Sequence, residues 1–283
     1  MTSLATTILA MAWLTATAAG AAPEGAQGPA DYVALGSSFA AGPDVGRPDP
    51  AAPPPCARSL DNYAHKLAAR RHLILEDRSC SGARTADLTS HRQFGLSPQI
   101  EGVGPGVRLI TVTIGGNDVS YLGDLGALSC RNQGGSGCAP SPDETLEARF
   151  ATLRTAYAEL LAQLRTRAPT ARIAVVDYVT ILPDQGVCPA QAPLTEADMA
   201  RARDRAARLQ RLTAEVAAAA GATLVRASAV TAGHDVCAPH PWVNGWHDPG
   251  PGGRPLATYH PRIEAMEAVA AELDRVLPRG LDH

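Results

Sequence analysis

The chain has 283 residues, 45% of them hydrophobic and 19% charged, which is enough for one large globular domain with a sizeable core. A formal charge of -3 gives no basis for binding nucleic acid. Lys66 is the only lysine, so arginine carries nearly all the positive charge.

The chain opens on small and apolar residues, Leu4 to Leu14 and then Thr15 to Ala22. This reads as a secretory leader over residues 1–22, with cleavage after Ala18, Ala21 or Ala22, although no Lys or Arg precedes the apolar run. The run falls short of the ~20 apolar residues a membrane span needs, and Thr and Gly interrupt it. The expectation is therefore export to the extracellular medium with no stable membrane span. Six cysteines suit that compartment. They form no Cys-x-x-Cys pair, so a metal site is not expected; as disulfides they allow 15 pairings.

Residues 23–30 are rich in Pro, Gly and Ala and read as a flexible lead-in. Tyr32 to Leu35 is a short apolar run expected as a buried strand, ending in Gly36-Ser37-Ser38 and Gly42. Glycine and serine are ordinary turn residues. At the C-terminal end of a parallel strand, however, they present hydroxyls where open α/β sheets bind ligands.

The pattern then predicts a Pro-rich loop over 43–57, a helix over 60–72 and a short strand over 73–75. A loop follows at Cys80-Ser-Gly82-Ala-Arg-Thr85, leading into another helix. Residues 99–106 are polar and glycine-rich, and 107–114 are β-branched, a central strand. Residues 120–140 read as a glycine-rich loop. Ser141-Pro142-Asp143-Glu144 has the form of a capping box opening a helix with an apolar face from Leu146 to Leu164.

A strand over 172–177 and a loop over 183–193 come next. A helix starts at Thr195, and Gly221 suits its C-terminal cap. A strand over 222–225, a long loop over 231–259 and a last helix over 261–277 complete the pattern. Alternating strands and helices predict a parallel sheet covered on both faces, and no linker divides residues 31–283.

Three stretches hold the parts of an acyl-transfer site. A serine hydroxyl needs a base to take its proton, histidine suits neutral water, and the oxyanion needs N–H donors. Gly36-Ser37-Ser38-Phe39-Ala-Ala-Gly42, Gly115-Gly116-Asn117-Asp118 and His260-Pro261 resemble, in that order, the motifs of the SGNH (GDSL-type) hydrolases, a family of serine esterases and lipases. The resemblance covers most of residues 31 to 265. It implies a three-layer α/β/α, flavodoxin-like parallel sheet and a secreted carboxylic-ester hydrolase without a cofactor or metal. It also implies Ser38 as nucleophile, His260 as base, and an oxyanion hole from Ser38, Gly82 and the Asn117 amide.

The chain departs from the family pattern twice. Ser37 stands where the motif has Asp, and Ala257 where the family has Asp three residues before the histidine. The backbone carbonyl of Ala257 is then the expected orienting group for the imidazole, as in some secreted members, with Asp248 as its rival.

The six-cysteine layout resembles that of secreted actinobacterial esterases and lipases. With the order of the cysteines along the chain it selects Cys56–Cys80, Cys130–Cys138 and Cys188–Cys237. Asp118 is expected as a hydrogen-bonding support. Trp242, Trp246 and Tyr259 either wall an acyl pocket or anchor the loop. Substrates would be small-molecule or lipid esters, met by a monomer; acetylated polysaccharide or phospholipid fits the same site, and a non-catalytic binding domain of this fold is the reading from another class.

Overall fold

The computed structural model describes residues 29–247, 250 and 256–280. The leader over 1–22, most of the 23–30 lead-in, Asp248 and His283 lie outside the described residues.

Five strands form one parallel sheet in the order β2-β1-β3-β4-β5: β1 Tyr32–Gly36, β2 Leu75–Asp77, β3 Leu109–Thr113, β4 Arg172–Val176 and β5 Thr223–Val225. Both β1 and β3 are buried at every residue, which is why their sequences run apolar without alternation. They pair from Tyr32 with Leu109 to Gly36 with Thr113. The strand order reverses between them, so the crevice beyond their C-terminal ends is the place where such sheets bind ligands.

The helices are α1 Ser38–Ala41, α2 Tyr63–Arg71, α3 Thr85–Thr89, α4 Tyr121–Asn132, α5 Leu146–Arg167, α6 Glu196–Ala219, α7 Ala227–Val230 and α8 Ile263–Val276. Around the sheet α2 packs on α8, α5 packs on α3 and α6, and α6 packs on α4. The whole is a three-layer α/β/α fold of the flavodoxin-like kind. Among the described residues no helix is long and apolar enough to cross a membrane.

Two local expectations need correction. The stretch 120–140 is not a loop throughout, because residues 121–132 form α4. Tyr121, Leu125 and Leu128 recur at helical spacing and are buried. Asp124 on α4 is joined to Arg205 of α6 by a buried ion pair. The helix tolerates Gly126 where the Trp246 ring lies 3.8 Å from an added Cβ.

The capping box at Ser141 also does not form. Pro142 precedes a 3₁₀ turn, Asp143–Thr145, and α5 begins only at Leu146 with no side-chain cap. The Ser141 hydroxyl donates instead to Asp124 Oδ1 at 2.9 Å, a tertiary partner that outcompetes the local one. Thr195, where the sequence places a helix start, is the N-cap of α6, its hydroxyl accepting the Asp198 N–H at 3.1 Å.

All six cysteines are paired, as Cys56–Cys80, Cys130–Cys138 and Cys188–Cys237.

Candidate active site

β1 ends on a residue that only glycine can supply. Gly36 has φ +143°, and a Cβ there would lie 2.4 Å from the Thr113 carbonyl oxygen. Ser37 follows in extended conformation, its N–H donating to Thr113 O at 3.0 Å. The chain then turns at once into α1, so that Ser38 is the first helical residue. The Ser38 side chain stands at the strand's edge, 8% exposed, with its Oγ 2.8 Å from His260 Nε2.

His260 comes from the far end of the chain, just before α8. Tyr259 adopts a left-handed φ of +60°, which turns the backbone sharply ahead of the histidine. Asn244 clamps this turn from both directions: its N–H donates to His260 O at 2.9 Å and its carbonyl accepts the Tyr259 N–H at 3.1 Å. The Tyr259 hydroxyl bonds to Ser129 Oγ of α4 at 2.7 Å. The Trp246 backbone N–H donates to Gln191 O, its ring lies against Tyr259 at 6.2 Å, and Trp242 stacks on His234 at 3.6 Å. These aromatic residues therefore anchor the loop.

The imidazole orientation differs from the sequence expectation. His260 Nδ1 lies 2.8 Å from the carbonyl of Thr258, not that of Ala257. Ala257 O is occupied by the His260 backbone N–H at 3.2 Å and by Asn244 Nδ2 at 3.0 Å. The left-handed turn at Tyr259 spends the Ala257 carbonyl on closing the loop and brings the next carbonyl to the ring. A carbonyl only accepts, so Nδ1 carries the proton and Nε2 presents its lone pair to Ser38.

Burial holds the His260 pKa below its ordinary value of 6.5. The Thr258 carbonyl opposes that effect, as does the charge of Asp44, whose Oδ2 accepts the Ala257 N–H at 2.7 Å. No expectation from sequence included Asp44, which sits in the turn after α1.

The Gly115-Gly116-Asn117-Asp118 stretch leaves the end of β3 beside this pair. A Cβ on Gly116 would lie 2.6 Å from the Tyr178 hydroxyl, which accepts the Gly116 N–H at 2.8 Å. The same phenol reaches Ser37 Oγ at 3.5 Å. Asn117 Nδ2 donates one hydrogen to Ala83 O at 2.9 Å, which leaves its second amide hydrogen for another acceptor. Asp118 accepts the Thr85 N–H at 3.1 Å and the Thr85 hydroxyl at 2.6 Å, tying this stretch to the loop that carries Gly82. Burial raises the Asp118 pKa, against the pull of the Thr85 bonds.

Gly82 is exposed and has φ +82°. Among the described residues neither its N–H nor that of Ser38 has a hydrogen-bond acceptor. Two unused backbone donors and one unused amide hydrogen thus belong to segments tied to the end of β1, that of Gly82 through Cys80 N–H on Gly36 O and that of Asn117 through Ala83 O and the Tyr178 hydroxyl. This combination can polarise a carbonyl and hold the charge that develops on its oxygen. No group of three His, Cys, Asp or Glu able to hold a metal ion occurs among the described residues.

Motif reading missed Thr258, Asp44, Asn244 and Tyr178. Thr258 acts on His260 two residues away, through a backbone carbonyl that any residue type carries, whereas Asp44, Asn244 and Tyr178 act on partners distant in sequence. Only Tyr178 had a positional signal, because it follows the end of β4 at the ligand-binding edge.

Comparison with known proteins shows the family. Residues 34–268 match the model of the GDSL-like Lipase/Acylhydrolase family. Lipase 2 of Streptomyces coelicolor is 36% identical over 95% of this chain and 92% of its own length. The solved structure of the extracellular lipase from Streptomyces rimosus is 28% identical, with a TM-score of 0.66, covering 88% of this chain and all of the other. Phospholipase A1 from Streptomyces albidoflavus shares the fold at 24% identity and a TM-score of 0.69, with 88% and 100% coverage. The chain belongs to the GDSL-like lipase/acylhydrolase family and is a carboxylic-ester hydrolase.

Proposed function

We propose that this enzyme is an exported serine esterase or lipase that works through an acyl-enzyme on Ser38, with His260 as its base. Ser38 Oγ attacks the ester carbonyl while Nε2 of His260 takes the hydroxyl proton. The N–H groups of Ser38 and Gly82 and the free amide hydrogen of Asn117 hold the oxyanion. The imidazolium is stabilised by the Thr258 carbonyl on Nδ1–H and returns the proton to the leaving alcohol. Water, deprotonated by the same imidazole, then releases the acid.

The observation that carries this reading is the 2.8 Å contact from Ser38 Oγ to His260 Nε2, with the other ring nitrogen held by an acceptor-only group. Export is supported by the leader-like start of the chain, by three disulfides, and by the extracellular lipase of S. rimosus among its relatives. The lipase names of its relatives support lipid esters as the substrate class. Residues 31–283 form the single hydrolase domain in this account.

The test is hydrolysis of p-nitrophenyl butyrate by the purified enzyme, Ser38→Ala and His260→Ala. Loss of nucleophile or base in enzymes of this kind costs up to ~10⁶ in turnover. A Ser38→Ala protein that keeps its full rate would rule out this nucleophile.

A further inference from the structure

Gly36 is the joint on which two parts of the site hang, and it is held by a side chain that no motif contains. On its β3 side, β1 is paired as far as Gly36 with Thr113. On its β2 side the register ends at Ala34 with Asp77, and beyond it Arg78 N–H donates to Ala34 O and Cys80 N–H to Gly36 O. What the segment after β2 does not supply is a backbone acceptor for the buried Gly36 N–H, which faces a gap on that side.

Gln99 fills that gap as a one-residue strand would. Its Oε1 accepts the Gly36 N–H at 2.8 Å and its Nε2 donates to Gly36 O at 3.0 Å. The side chain is 5% exposed and comes from the 3₁₀ turn Gln99–Gly102 that leads into β3. The second lone pair of Gly36 O is taken by the N–H of Cys80, also at 3.0 Å. Ser38 lies two residues beyond Gly36, and Gly82 two residues beyond Cys80. The two backbone donors assigned to the oxyanion are thus both referenced to this one residue.

We propose that Gln99 is a positioning residue, whose amide pairs with Gly36 to set the spacing between the Ser38 and Gly82 N–H groups. This rests on the oxyanion reading above. An amide suits the task because it offers one donor and one acceptor side by side, matching a backbone peptide edge. A carboxylic acid has the same pattern only while protonated.

The test compares Gln99→Ala, Gln99→Glu and Ser38→Ala with the wild-type enzyme on p-nitrophenyl butyrate, each checked by thermal melting. Misplacement of a site by about 1 Å can cost ~10²-fold, so Gln99→Ala is expected to lose roughly 10- to 100-fold in kcat with KM within about 3-fold. In Gln99→Glu the introduced carboxyl faces a cavity of about 360 Å³ that carries Glu76, Asp77 and Asp87 as well as Arg58 and Arg78. Its kcat relative to wild type should rise by about 5-fold or more from pH 8.5 to pH 5.5, as protonation restores the amide-like edge. The His260 limb is fitted separately in each protein from its full kcat–pH profile, and the ratio is taken between the fitted plateaus on either side of the introduced carboxyl's titration.

A folded Gln99→Ala with wild-type kcat would overturn the proposal, and so would a pH-independent Gln99→Glu ratio. If Gln99→Ala does not fold, the Gln99→Glu ratio alone decides. Full activity in Ser38→Ala would instead sink the nucleophile assignment, whichever way the Gln99 variants behave.

Discussion

Tyr178→Phe tests how far the site depends on a hydroxyl outside the motifs. The phenol oxygen accepts the Gly116 N–H at 2.8 Å, while its ring packs on Phe39 at 4.7 Å and edge-on to Tyr121 at 6.0 Å. Phenylalanine keeps the ring contacts and removes only the oxygen. The residue is 4% exposed, so the Gly116 N–H would be left buried with no acceptor. A stranded buried donor costs about 1–3 kcal/mol, and we take about 2. A chain of this size loses about 2 °C of melting temperature per kcal/mol, so Tm should fall by about 4 °C.

Gly116 immediately precedes Asn117, whose amide belongs to the oxyanion hole in our account. The same substitution should therefore lower kcat by about 10-fold with little change in KM, as expected for an interaction made in the transition state. Calorimetry and steady-state kinetics on p-nitrophenyl butyrate measure both effects. Burial pushes the phenol up to about 12, so the hydroxyl stays protonated across the assay range and pH does not confound the comparison. A variant that melts within 1 °C of wild type, at unchanged kcat, would refute the reasoning.

Two further outcomes are expected. Asp44→Asn should move the acidic limb of kcat/KM to lower pH, because the Asp44 charge raises the His260 pKa and the amide does not. The shift should shrink as salt is added, and a shift to higher pH would contradict it. Replacing each cysteine pair by serine should reduce stability in the order of loop length. Sequence separations of 8, 24 and 49 give roughly 2.5, 3.4 and 4.1 kcal/mol in the chain-entropy relation. Removing Cys56–Cys80 should also cost activity, since Cys80 N–H bonds to Gly36 O, and a pair variant with full kcat would count against that link.

The depth of sequence reading varied with the range of the interaction. The sheet was legible because Tyr32 to Leu35 is an apolar run and 107–114 is rich in β-branched residues, both of which suit buried strands, and α6 because its Thr195 cap acts over three residues. α4 was not legible: Gly123, Gly126 and the flanking glycines obscured the Tyr121, Leu125 and Leu128 spacing, and the helix is held by α6 through Asp124 and Arg205. Ser141 failed as a cap for a related reason, because Asp124 offered its hydroxyl a better partner.

In the site, Ser38, Gly82, Asn117 and His260 stood in recognisable motifs. The carbonyl that receives the imidazole did not, since the choice between Ala257 and Thr258 depends on the left-handed turn at Tyr259, and tyrosine gives no warning of one. Gln99 lies 63 residues from Gly36 in a turn that has no motif, so only the folded chain reveals the pairing.

The central claim is that the hydroxyl of Ser38, and not that of its neighbour Ser37, is the one His260 activates. Treatment with a p-nitrophenyl alkylphosphonate, followed by intact mass and peptide mapping, reads this directly. The account predicts one phosphonyl group per chain, located on Ser38, with release of one equivalent of nitrophenol and no adduct on the Ser38→Ala or His260→Ala proteins. Stoichiometric labelling of Ser37, or of the Ser38→Ala protein, would contradict it.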